Sequence, residues 1–299
     1  MALSKGRTGE FFIMTEALLY ALFPILIVHT TKLMPPILFA ASSTLFSALV
    51  LFVYLVVKKQ IRTLYNPKAF KYILGVTLFI VIIPSVLIYF GASHTSGVNT
   101  AILLQTEILF TFLIVGVFTR ERITLKKISG ALLVAFGAVI ILYNGDFSVN
   151  SADLLIIAGA AFYPLGNICA KKALELATPV AILFIRAFVG GNILLLISLL
   201  FENYTLSVSH YISDNFLFLA ANGVFIYCVS KLLWYEGLKR MDITKAIPLG
   251  MTYPAFSLVY AYFLLREIPT FYQLLGFIVI FSGVFFLIKK GKKTIELTI

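Results

Sequence analysis

The sequence predicts an all-α, polytopic membrane protein of ten transmembrane helices, arranged as two inverted five-helix repeats. Three observations carry that prediction: the composition, a ladder of apolar stretches of spanning length, and an internal repeat. Of 299 residues, 61% are apolar and only 12% are charged. With a mean hydropathy of +1.01, the chain holds more apolar surface than one soluble globule can bury.

A hydrocarbon layer about 30 Å thick takes about 20 mostly apolar residues per crossing, in a helix because lipid offers no partner to open backbone groups. Span 1 (10–30) follows Lys5 and Arg7, and its length without a small-residue cleavage site before Met34 marks a retained signal anchor. Span 2 (34–57) runs into the basic connection 58–69, which precedes span 3 (70–90). Span 4 (97–118) begins after Thr95-Ser96, and span 5 (128–145) closes the first half. Spans 6 (152–172) and 7 (178–201) lead to the polar connection 202–213, followed by spans 8 (214–236), 9 (243–265) and 10 (270–289). Gly130 and Gly137 in span 5, like Gly276 and Gly283 in span 10, lie seven apart and suit close helix packing. The connections are too short for a separate soluble domain.

The formal net charge of +11 is distributed in a way that argues against nucleic acid as a partner. Twenty of the 24 Lys and Arg fall in one alternate set of connections and termini, while only Lys32 and Arg266 fall in the other set. Arg186 and Lys231 lie inside spans. By the positive-inside rule both termini are cytoplasmic in an inner or plasma membrane, which requires an even number of crossings. Membrane lipids are then the polyanion that the basic ends meet. Cys169 and Cys228 both fall within helices, so they read as small buried residues with no disulfide framework. Asn203-Tyr204-Thr205 matches a glycosylation acceptor, a short pattern of little weight.

Residues 89–139 recur without a gap 146 positions later, at 235–285, with ten identities over the 51 aligned positions. Among them are Tyr89/Tyr235, Gly91/Gly237, Arg120/Arg266 and Glu121/Glu267. Pro24 and Lys32 fall opposite Pro164 and Lys172 at an offset of 140. The halves are residues 1–146 and 147–299. Each holds an odd number of spans, so equivalent points lie on opposite sides of the membrane. Inverted repeats give one fold two pseudo-equivalent packings, the basis of alternating access.

Thr95-Ser96-Gly97, Leu103-Leu104-Gln105-Thr106-Glu107, Arg120-Glu121, the run Leu232-Leu233-Trp234-Tyr235-Glu236-Gly237-Leu238-Lys239-Arg240, Tyr253-Pro254 and Arg266-Glu267 resemble the ten-helix EamA-type exporters of the drug/metabolite transporter superfamily. The resemblance spans nearly the whole chain. It implies a cavity lined by spans 1, 3, 4, 6, 8 and 9 around Glu107 and Tyr253. Span 4 carries Glu107-Ile108 where such proteins often have Glu-Pro, and span 9 keeps the proline at Pro254 behind Tyr253.

An ionisable side chain at mid-bilayer costs roughly 2.5 kcal/mol or more on insertion scales, so each one needs a reason. Glu107 lies about 15 Å into span 4, with Thr100 and Thr111 on its face. It reads as a substrate or proton-coupling group, or as a structural acid bonded to a neighbouring helix. Glu16 is a second coupling candidate, or a charge that reaches the interface; Tyr20 follows one turn deeper. Tyr163, Asn167 and Lys171 form a stripe in span 6, and Tyr227, Lys231 and Trp234 a face of span 8 where Lys231 is within snorkelling reach. Arg186 cannot lose its proton, so it pairs with a carboxylate, Glu16 or Glu107, or holds an anionic ligand. The substrate-binding candidates are therefore Glu107, Tyr253, Tyr20, Tyr163, Asn167, Tyr227, Lys231, Trp234 and Arg186.

Aromatic faces with charges of both signs suit an amino-acid-like, aromatic or cationic small molecule. The function expected is secondary active export by alternating access, with proton coupling as a refinement. A flippase of a lipid-linked intermediate and a facilitative uptake or exchange carrier are the alternatives. No cofactor or metal motif appears: His29, His94 and His210 fall at outer ends or loops, and no HExxH or GxSxG occurs, which argues against an enzyme. A homo-oligomer is compatible with everything above.

Overall fold

A computed structural model of the chain describes residues 5–119, 125–143, 150–238, 240, 249–250 and 252–288. The first Arg-Glu pair, Arg120-Glu121, lies outside them, as do Lys239, Lys245 and the basic run from Lys289. The described residues are helical throughout their regular elements. Among the described residues, seven helices are long and apolar enough to cross a bilayer: Thr8–Thr30, Pro36–Val57, Pro67–Ala92, Gly97–Ile114, Ser151–Leu174, Pro179–Phe201 and Phe216–Gly237. Three shorter apolar helices, Ile128–Tyr143, Tyr253–Leu265 and Phe271–Phe286, complete the ten. All three border undescribed stretches. The protein is a polytopic membrane protein, and the helices are numbered below as spans 1 to 10.

The span starts follow from local chemistry. Pro67 and Pro179 open spans 3 and 7 at positions whose N–H has no helical partner. Side chains just ahead accept the orphaned donors: Asn66 from Lys68 and Ala69, Ser96 from Asn99, Asn150 from Ala152 and Thr178 from Ala181.

Span 5 packs along span 10, span 2 along span 7, span 3 along span 6, and span 1 against span 8. The pairing has the symmetry of the repeat, because exchanging halves maps spans 1 and 8 onto spans 6 and 3 and returns the other two pairs to themselves. The glycines show it atom by atom. A Cβ on Gly137 would sit 2.9 Å from the Gly276 carbonyl, and one on Gly283 would sit 2.7 Å from the Gly130 carbonyl. These two contacts interchange under the 146-residue shift. Likewise Gly91 admits the start of span 6 at Ala152, while its copy Gly237 admits span 1 at Ile13. With no hydrophobic drive between helices in lipid, such backbone approach is a main source of association.

At the ends of the spans remote from the chain termini, three carboxylates tie the helices together. Glu202 accepts the Ile37 and Leu38 N–H groups at 2.7 and 2.8 Å. Glu267 accepts those of Gly97 and Val98 at 3.1 Å each. Its approach follows a left-handed turn at Arg266, φ 56°, a region that non-glycine residues seldom occupy. Asp153 accepts from Thr95 at 2.6 Å and from Asn99 at 3.0 Å, and Gln273 of span 10 donates to Asn99 at 2.7 Å. Each of the first two carboxylates meets a helix N-terminus, where free N–H groups and the helix dipole both favour negative charge.

Candidate functional site

Six of the ten spans are irregular near mid-membrane, and they form three symmetry-related pairs. Span 1 breaks at Ala21–Leu22 and resumes at Phe23 with Pro24; span 6 breaks at Ala161–Phe162 and resumes at Tyr163 with Pro164. A proline at the second half-helix has no N–H to donate backwards, which explains both breaks. Span 4 narrows to a 3-10 turn, Leu104–Thr106, just before Glu107. Span 9 has its discontinuity just before Tyr253-Pro254, the aligned position. Spans 3 and 8 widen into π-helix at Thr77–Ile82 and Asn222–Ser230, which overlap under the same shift. Pro84 follows the first and accounts for its disrupted bonding. Spans 2, 5, 7 and 10 run unbroken.

The irregular segments surround a cavity of about 1120 Å³ of empty space, its mouth included. Every candidate from the sequence lines it: Glu16 and Tyr20 from span 1, Glu107 from span 4, Tyr163 and Asn167 from span 6. Arg186 from span 7, Tyr227, Lys231 and Trp234 from span 8 and Tyr253 from span 9 complete the set. The diverged pair of the repeat, Glu107 and Tyr253, therefore meets in one chamber. Tyr20 stands edge-on to Tyr253 with ring centres 5.1 Å apart and stacks on Phe23 at the same distance. The Tyr89 and Tyr227 hydroxyls approach to 2.5 Å, and Asn222 donates to Tyr89 at 2.9 Å. Gly250 leaves room for the Trp234 ring, which a Cβ would approach to 2.9 Å.

The charges are ordered. Lys231 Nζ lies 3.0 Å from Glu16 Oε1 and 3.5 Å above the centre of the Tyr20 ring. Ser230 Oγ donates to the same Glu16 oxygen at 3.2 Å. Asn167 Nδ2 donates to Glu107 Oε1 at 3.1 Å. Arg186, only 5% exposed, has neither an ion pair nor a hydrogen bond among the described residues. Its guanidinium lies 6.0 Å from the Tyr235 ring centre.

Several sequence expectations are corrected by this geometry. Glu16 does not reach the interface, being 4% exposed and paired with Lys231. Lys231 does not snorkel, because its ammonium is held inward by that pair and the Tyr20 face. Neither Glu16 nor Glu107 pairs with Arg186. Thr100 and Thr111 do not share the cavity with Glu107. The 3-10 turn between Thr100 and Glu107 breaks the stripe, and Thr100 bonds back to the Ser96 carbonyl instead. The lining is also wider than spans 1, 3, 4, 6, 8 and 9: Thr44 and Ser47 enter from span 2, and span 7 supplies Ala187 beside Arg186. Hydroxyls grouped at Ser42, Ser43, Thr44 and Ser47 in a largely apolar span were the signal that sequence reasoning passed over.

Among the described residues no group of His, Cys, Asp or Glu is arranged to hold a metal ion. Cys169 and Cys228 are free thiols, Cys228 buried.

The comparisons agree with this architecture. The model of the EamA-like transporter family matches residues 7–143 and again 150–289. An uncharacterized transporter of Methanothermobacter thermautotrophicus is 28% identical over 71% of this chain and 62% of its own. The chain thus spans less than two thirds of that relative's length. An uncharacterized transporter of Archaeoglobus fulgidus is 24% identical over 84% of this chain and 86% of its own. A probable amino-acid metabolite efflux pump of Escherichia coli is 26% identical over 62% of this chain and 65% of its own. A solved crystal structure superposes with a TM-score of 0.66 over 94% of this chain and 96% of that one, at 17% identity, a likeness of fold. With both halves matched, the chain belongs to the EamA-like transporter family.

Proposed function

We propose that the protein is a secondary active transporter that exports a small organic metabolite, amino-acid-like, aromatic or cationic, by alternating access. The observation that carries this reading is the convergence of three symmetry-related pairs of broken helices on one charged, aromatic-walled cavity. Broken helices expose backbone groups that only a cavity or ligand can satisfy, and their symmetry gives the chamber two equivalent ways to open. The halves 1–146 and 147–299 rock about it, with both termini on the cytoplasmic side of the inner or plasma membrane. The carboxylate ties at the far side hold the state in which that side is shut.

Glu107 is the coupling group: a carboxyl in the cavity lining, bonded through one oxygen to Asn167, is free to exchange a proton as access alternates. The buried, many-sided lining suits a compact solute better than a lipid-linked chain, whose tail needs a lateral exit.

Counterflow in proteoliposomes tests the reading. Vesicles loaded with a panel of amino acids and amines are expected to accumulate at least one labelled member transiently. No accumulation of any member by folded protein would sink the proposal.

A further inference from the structure

The cavity holds two carboxylates and two cations, and one cation is left without a counter-charge. Glu16 is taken up by Lys231 and Ser230, and Glu107 Oε1 by Asn167. Arg186 stays charged in any setting and is buried, yet it has no anion and no acceptor among the described residues. An unpaired buried charge is strongly unfavourable unless a ligand offsets it. Two more polar groups of the same lining are stranded. The hydroxyls of Tyr235, whose ring lies beside Arg186, and of Ser47 are buried without a hydrogen-bond partner.

We propose that Arg186, with the Tyr235 and Ser47 hydroxyls, is the seat of a substrate carboxylate, and that Glu107 Oε2 receives the ammonium of the same molecule. The inference rests on the transporter reading above and narrows its substrate class to zwitterions. A planar fork of N–H donors matches a carboxylate in two parallel bonds, and the two hydroxyls supply further donors. A phosphate dianion would bring two negative charges against Glu16 and Glu107. An amine lacking a carboxylate would leave Arg186 as stranded as before. A monocarboxylate carrying an ammonium answers both Arg186 and Glu107, and its side chain meets the rings of Tyr20 and Tyr253.

Trp234 is the one tryptophan of the chain and lines this cavity, so its fluorescence reports occupancy directly. The probes are the twenty common amino acids, each with its decarboxylated amine and its deaminated acid, titrated into the full chain in detergent. Removal of the carboxylate is expected to weaken binding by about tenfold or more. In Arg186→Gln that difference collapses, with the amine binding as it does to the wild type, which also shows that the variant is folded. Arg186→Lys, which keeps charge but loses the fork, falls between.

Retention of the carboxylate preference in Arg186→Gln overturns the seat. So does amine binding as tight as amino acid binding in the wild type, or no response to any probe. Counterflow of amino acids that is unaltered in Arg186→Gln overturns the seat while leaving the transporter reading intact; absence of all counterflow removes both.

Discussion

Lys231 and Glu16 form an ion pair in a place where neither partner alone is tolerable. Glu16 is almost wholly buried, and the ammonium is sandwiched between a carboxylate at 3.0 Å and an aromatic face at 3.5 Å. Lys231→Met leaves the carboxylate without its partner and is expected to lower stability by about 3 kcal/mol. The double variant Glu16→Gln/Lys231→Met is expected to regain most of that loss, because both charges go together. Thermal melting of the purified variants in detergent reads both effects, and equal melting of the single and double variants would count against the pair.

Glu107 differs in being bonded through one oxygen to an amide, with no ion pair to it among the described residues. Glu107→Gln keeps size and polarity but has no exchangeable carboxyl proton. Counterflow is expected to continue with weaker substrate affinity, because the amide oxygen still accepts from the ammonium but carries no charge, while accumulation driven by a pH gradient disappears. An unchanged response to the gradient rules Glu107 out as the coupling group.

At the scale of helices, the chain alternates straight struts with broken ones. Spans 5 and 10 are held together by backbone contact at glycines, so Gly137→Leu must displace Ile280, to which even a Cβ would come within 2.6 Å. A loss of about 1 to 3 kcal/mol is expected, seen as a lower melting temperature; an unchanged melting temperature contradicts the packing. Glu267→Gln weakens the charge-assisted bonds at the start of span 4, with a cost of about 1 kcal/mol. Under the proposed cycle it also shifts the population toward the state open on the far side.

How much of this was legible depended on how local its cause is. Pro24, Pro164 and Pro254 stand in the sequence, and spans 1 and 6 were placed to within a few residues, while the start expected for span 9 lies outside the described residues. The π segments of spans 3 and 8 were not foreseen, since an extra residue in a turn is set by packing against other helices. Glu202 and Glu267 read as connection charges because their partners lie 165 and 170 residues away in sequence. The cavity residues were found because an ionisable or hydroxylated side chain in an apolar span stands out. Their pairing, above all the isolation of Arg186, required the fold.

For the whole molecule, the exchange of the contacts Gly137 to Gly276 and Gly283 to Gly130 is the mark of two halves related by a pseudo-two-fold axis. The charge pattern leads one to expect its basic connections, Lys32 and Arg266 apart, on one face. In a background free of Cys169 and Cys228, cysteines at the exposed positions Lys58 and Ser209 are expected to react with an impermeant thiol reagent from opposite sides of oriented vesicles. Reaction from the same side would contradict the topology.

In the proposed cycle one cavity, at the helix breaks, communicates in turn with both sides of the membrane. Ala187 lines that cavity and is 4% exposed, so a cysteine there is a small change at an informative place. Ala187→Cys in the cysteine-free background, reconstituted in oriented vesicles, is to be challenged with the impermeant reagent from each side separately. Labelling from both sides is expected, with a bound zwitterion protecting the thiol; labelling confined to one side under all conditions rules out alternating access through this cavity.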